Sequence, residues 1–145
     1  MSKKNINYKR IEGILHSYCT LKCEISKLEI DIEEMKDDVS IASTNFDAVD
    51  SGRCDSRGNN SKVESEVIKR ERAIANLERE IRCKERMIRK VDNALSILNP
   101  EDKVFVQLRY FDKIPMNNLA ERYNVEARTM YHRKDSIVKQ ISVLL

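Results

Sequence analysis

From Ile11 onward the apolar residues fall at Ile11, Ile14, Tyr18, Leu21, Ile25, Leu28, Ile32, Met35 and Val39. The gaps alternate three and four without a break over about four heptads, the signature of a coiled-coil seam. A strand alternates every second residue and a globular helix carries a broader apolar stripe, so this spacing commits the first part of the chain to a long helix with one narrow inward edge. Glu24, Lys27, Glu29, Asp31, Glu33, Glu34 and Lys36 lie between the seam positions and read as a solvated face. Composition agrees: charged residues make up 35%, aromatics 6%, and there is no Trp, which suits long wet helices beside a modest core.

The pattern breaks from Ser40 to Lys62, where Ser, Asn, Asp and Gly cluster, so a mobile connection over about 40–62 is expected. A second seam follows at Val63, Val67, Ile74, Leu77, Ile81, Ile88, Val91, Leu95 and Leu98, with Arg70 and Lys84 at two positions where the repeat would hold an apolar residue. Polar residues in a seam weaken it but fix register and partner number. Two helices of roughly 45 and 55 Å joined this way predict an antiparallel coiled-coil helical hairpin over residues 1–99. Such a hairpin buries little by itself. A second copy packing on Ile11, Ile14, Tyr18, Leu21, Ile25, Leu28, Ile32, Ile74, Leu77, Ile81 and Ile88, or partial cover from the rest of the chain, is therefore expected.

At Asn99-Pro100-Glu101-Asp102 the hairpin ends and a new helix starts. Proline suits the first turn of a helix, Asn99 suits its cap, and the two acids suit its positive dipole end. Helices are predicted over about 100–111, 115–123 and 126–142. Ala120 is small enough for a close helix crossing, and Asn124 suits a sharp left-handed turn. Val125, Met130, Ile137 and Ile141 then give the last helix an inward face. The expected fold is all-α, a helical hairpin followed by a three-helix helix-turn-helix domain over 100–145.

The outward face of that last helix carries Glu126, Ala127, Arg128, Tyr131, His132 and Asp135, a polar and partly basic set of the kind that enters a DNA major groove. Arg128 is the first candidate for base readout, because a guanidinium bonds a guanine edge in two places. Arg133 and Lys134 sit nearer the flank, where phosphate contacts are expected, and Arg109, Lys113, Asn117 and Asn118 are weaker phosphate candidates. Glu126 and Asp135 would accept from cytosine or reject wrong sequences. Charge distribution points the same way: residues 61–99 carry ten Lys/Arg against seven Asp/Glu, and residues 101–145 eight against six, while the first 60 are slightly acidic.

Other classes find less support. No apolar run approaches the ~20 residues of a membrane span, and the N-terminus lacks the apolar core of a signal peptide, so a cytoplasmic protein is expected. Cys19, Cys23, Cys54 and Cys83 are too scattered for a disulfide framework and are expected to be reduced. His16, Cys19 and Cys23 share one helical face, but a zinc site needs a fourth ligand and only isolated Cys83 offers one, so no metal is expected. No nucleophile–base pair or Gly-rich phosphate loop is present, so neither enzyme activity nor a cofactor is expected.

The C-terminal stretch resembles region 4 of the bacterial sigma-70 family. The resemblance rests on Leu108-Arg109-Tyr110-Phe111 before the motif, Leu119-Ala120-Glu121 within its first helix, and Thr129-Met130-Tyr131-His132-Arg133 in the recognition helix. It covers residues 95–145, about a third of the chain. With the N-terminal hairpin and short length, the chain is similar to phage and prophage transcription regulators of the ArpU/RinA type. That resemblance implies a regulator in the bacterial host cell, at the nucleoid, that binds double-stranded DNA. It would use Thr129 and its neighbours on the recognition helix, and the hairpin is expected to mediate self-association, as a homodimer or higher oligomer, or contact with host RNA polymerase. Asn118 replaces the family's acidic residue and Asn124 its turn glycine, so contacts made through that acid do not carry over. No aromatic and basic segment for opening a promoter is present, which argues against a complete sigma factor. A small terminase subunit that assembles on phage DNA, or a coiled-coil adaptor of RNA polymerase, are the alternatives.

Overall fold

The computed structural model describes residues 3–44 and 59–145, and among these every regular element is helical. The elements are α1 (Lys3–Thr44), α2 (Asn59–Ser96), α3 (Pro100–Val106), which runs into a π-helical turn at Gln107–Phe111, α4 (Met116–Arg122) and α5 (Ala127–Ile141). Of the expected connection over 40–62, the two ends are helical. Its middle, with Cys54, lies outside the described residues. No helix among the described residues is long and apolar enough to cross a membrane.

The chain divides into two compact units, one made of Met1–Cys23 with Glu85–Leu145 and the other of Glu24–Lys84. This differs from the cut after Asn99 that the Pro100 signal suggests. The reason is apolar cover: Ile11, Leu15 and Tyr18 of α1 and Val91, Ala94 and Leu98 of α2 are buried in one core with Phe105, Tyr110 and Leu119. Burying aromatic and aliphatic side chains from all these elements together removes more apolar surface from water than a 46-residue unit of this chain would bury among its own residues. Leu15 also corrects the narrow-seam expectation. It flanks the seam yet is fully buried, while Ile14 on the seam is only half-buried, because α1 packs here against more than one neighbour.

Local chemistry sets the short helices. The Asn99 side chain accepts from the Asp102 backbone N–H at 2.8 Å, and Pro100 opens α3, as the sequence pattern predicts. The π turn closes with Asp112 N–H donating to Gln107 O at 2.9 Å, and Lys113 then takes a left-handed φ of 57°. A wider turn brings consecutive residues closer to one face. Tyr110 and Phe111 both use it to meet α1: Tyr110 is edge-on to His16 at 4.8 Å and Phe111 stacks on Tyr18 at 4.5 Å. Between α4 and α5, Asn124 has φ 52°, its N–H donates to Glu121 O at 3.1 Å, and Val125 N–H donates to Ala120 O at 3.0 Å. These paired bonds reverse the chain after α4 by satisfying carbonyls that the helix end leaves open. Val125 itself is 39% exposed, contrary to the inward role expected of it, because its backbone and not its side chain completes the turn.

In the second unit Lys84 bonds Glu24 of α1 at 2.7 Å and Glu80 on its own helix at 3.3 Å, and the Glu24 bond foremost raises its pKa. Glu24, expected on the wet face, thus answers a seam lysine across the helix pair. Ile32 is buried and Leu28, Ile25, Ile74, Leu77 and Ile81 are half-buried. Val63 and Val67, expected to face inward, are 55% and 41% exposed.

Candidate nucleic-acid interface

α5 is two-sided. Met130, Ile137, Val138 and Ile141 are buried, at separations that return to the same face of a helix, and they seat α5 on the core beside Leu119 and Ala120 of α4. Val138 was not among the expected inward residues, although it continues the same stripe. From the opposite side Glu126, Arg128, Thr129, Tyr131 and His132 are exposed, and Ala127 is half-buried. Glu126 stands at the N-cap position without a side-chain cap bond, so the first backbone N–H groups of α5 lack a side-chain acceptor there. The first two turns of α5 therefore present one cation, a hydroxyl, a phenol and an imidazole on a rigid base.

The next three residues do not join that face. Arg133, expected at phosphate, donates from Nε to Asp102 Oδ1 at 2.9 Å and from Nη2 to Glu101 Oε2 at 3.4 Å, and its guanidinium lies 5.9 Å from the Phe105 ring centroid and 5.5 Å from that of Tyr123. Lys134, also expected at phosphate, pairs with Glu12 of α1 at 3.0 Å and is only 14% exposed. Asp135 accepts from the Tyr8 hydroxyl at 2.6 Å through Oδ1. All three therefore have partners within the fold. A helix that packs against neighbours on two sides has little outward arc left, and the charges just past its free end find partners at the rim of the core.

Arg109 is likewise turned in. Its Nη1 donates to Ile114 O at 3.1 Å, while its Nε is buried with no hydrogen-bond partner. Lys113, Asn117 and Asn118 are exposed, as is Arg122, a cation outside the expected phosphate contacts. Among the described residues no group of three His, Cys, Asp or Glu side chains is placed to hold a metal ion. His16, the possible ligand on α1, meets the Tyr110 ring instead, and its pKa is lowered by burial and by the nearby Arg109, Lys113 and Lys134 cations, against an opposing pull from Glu12.

Glu12 is the centre of a polar cluster that local sequence patterns could not reveal. It accepts from the Tyr110 hydroxyl at 3.1 Å and pairs with Lys134, while Lys134 also lies 5.5 Å from the Tyr8 ring centroid and 5.4 Å from that of Tyr131. Burial and the neighbouring carboxylates push the Tyr8 and Tyr110 phenols well above their ordinary pKa, so both stay protonated donors. Tyr8 and Glu12 stand one turn apart on α1, where only the heptad spacing draws attention, and their partners lie at the other end of the chain.

The chain belongs to DUF722, a family of proteins of unknown function whose profile matches residues 7–143. The match runs from α1 to the end of α5, so the helices that share the core also share the family. No curated protein and no solved structure matches the chain.

Proposed function

We propose that this DUF722 protein is a sequence-specific double-stranded DNA-binding regulator of transcription, of phage or prophage origin, whose α4–α5 pair acts as a helix-turn-helix. The observation that carries this reading is the exposed set Arg128, Thr129, Tyr131 and His132 on the first two turns of a helix whose other face is locked to α4 through a tight Asn124 turn. A recognition helix reads base edges with its N-terminal residues, and a rigid seat converts a choice of side chains into a choice of sequence. In this reading Arg128 takes a guanine edge. Lys113, Asn117, Asn118 and Arg122 reach phosphate, while Arg133, Lys134, Asp135 and Arg109 stay with their internal partners.

The α1–α2 helices would bring copies together, or meet RNA polymerase. Supporting self-association, the second unit leaves much of its seam half-covered and Val63 and Val67 exposed, apolar surface that a second copy would cover. Two copies would set two α5 helices on half-sites about one helical turn, or a multiple, apart.

Footprinting on DNA from the chain's own genomic neighbourhood tests the reading. A protected site is expected, with Arg128→Ala losing roughly 1–3 kcal/mol of binding and its discrimination at one base position. No protected site, with equally weak binding to every duplex, would remove the proposal.

A further inference from the structure

Lys134 lies immediately below the exposed part of α5, yet it is the least exposed partner of its ion pair, at 14% against 24% for Glu12. Its ammonium is shared among Glu12 at 3.0 Å, the Tyr8 ring and the Tyr131 ring. The neighbouring Asp135 is held by the Tyr8 hydroxyl, and Glu12 is held in turn by the buried Tyr110. Tyr8 and Glu12, one turn apart on α1, therefore grip two consecutive residues of α5 from the side away from Arg133, which α3 holds. Of the groups in this cluster, only the Tyr131 ring reaches the outward face, at 48% exposed.

From this geometry we infer that the Tyr8–Glu12 turn of α1 is a positioning element for DNA reading: it holds Lys134 as a pedestal under Tyr131, and it keeps the Lys134 charge from phosphate. The inference rests on the DNA-binding reading given above. Its physical content is a division of labour. A lysine that meets phosphate releases about one counterion on binding and contributes to the salt dependence of affinity for every sequence. A lysine paired inside the fold contributes nothing to that slope. It acts through the orientation of the aromatic ring it supports, and so affects only discrimination between sequences.

The test uses the full-length chain and two duplexes, the protected site and a scrambled one, titrated over a range of salt. Lys134→Met is expected to leave the salt slope on the scrambled duplex unchanged and to lower the ratio of specific to scrambled affinity by roughly 5–10-fold. Glu12→Gln keeps an acceptor for Tyr110 but frees the lysine, and its slope is expected to steepen by about 0.9. The double variant returns to the wild-type slope. The opposite pattern, with Lys134→Met flattening the slope by about 0.9 and Glu12→Gln leaving it unchanged, overturns the inference and makes Lys134 a phosphate contact.

Melting temperatures of the same four proteins separate this inference from the reading beneath it. Losses from the two single substitutions that fail to add show the pair at work in the fold. Such coupling without duplex binding by the wild-type chain removes the DNA reading and, with it, the positioning role. Duplex binding without coupling removes the positioning role alone.

Discussion

Replacing Leu15 by Ala tests whether α1 belongs to the same core as the C-terminal helices. Leu15 is 0% exposed and lies in the cluster that includes Phe105, Tyr110 and Leu119. Truncating a fully buried Leu to Ala costs about 2–5 kcal/mol, from lost transfer energy plus the cavity left behind. For a unit of this size each kcal/mol moves the melting temperature by roughly 4–8 °C, so a drop on the order of 8–40 °C is expected. The informative comparison is with the next residue. A strict heptad makes Ile14 the seam residue and Leu15 a flank, which predicts a larger loss for Ile14→Ala. The structure predicts the reverse, since Ile14 is half-buried and Leu15 is not exposed at all. Ile30→Ala on the same helix, at 54% exposure, supplies the surface reference and is expected to change stability by no more than about 0.5 kcal/mol. Thermal unfolding followed by circular dichroism, with urea midpoints as a check, reads all three. An Ile14 loss that exceeds the Leu15 loss would refute the shared core.

Two further outcomes follow from local chemistry. Asn124 sits at φ 52°, so Asn124→Ala is expected to cost roughly 1–2 kcal/mol while Asn124→Gly stays within about 0.5 kcal/mol, both read from urea midpoints; equal behaviour of the two would show that the turn carries no left-handed demand. His16 has its pKa lowered by burial first and by the Arg109 cation second, so below about pH 6.5 the unfolded chain takes up the proton more readily than the folded one, and stability falls on acidification. His16→Gln should reduce the drop in melting temperature between about pH 7.5 and 5.5, and an unchanged drop would assign the acid sensitivity to other groups.

Much of the helix plan is readable from the residues because it depends on neighbours in sequence. Asn99 and Pro100 cap and open α3, and Asn124 turns the chain after α4, each through bonds that span at most five residues. The roles of Arg133, Lys134 and Asp135 are a different kind of fact. On a helical wheel only Asp135 continues the outward arc of Arg128 and His132; Lys134, four residues after Met130 and four before Val138, falls on the inward stripe and Arg133 at its edge, while the approach of α1 and α3 supplies the partners that hold all three. Tyr8 and Glu12 carry no local mark of that approach, because Tyr8 meets Asp135 across 127 residues of sequence. Heptad spacing likewise describes a helix with one neighbour. It marks Ile11 and Tyr18 but passes over Leu15 and Ala94, which are buried because this part of the α1–α2 pair serves a wider core.

The most direct measurement of the central claim, that the first two turns of α5 choose a DNA sequence, is selection from a pool of random duplexes by the full-length chain and by its Arg128→Ala variant. The wild-type chain is expected to enrich a defined motif, with related half-sites about 10 base pairs or a multiple apart, and the variant to enrich the same motif with one position in each half-site degenerate. A pool that emerges without any enriched motif would contradict that claim.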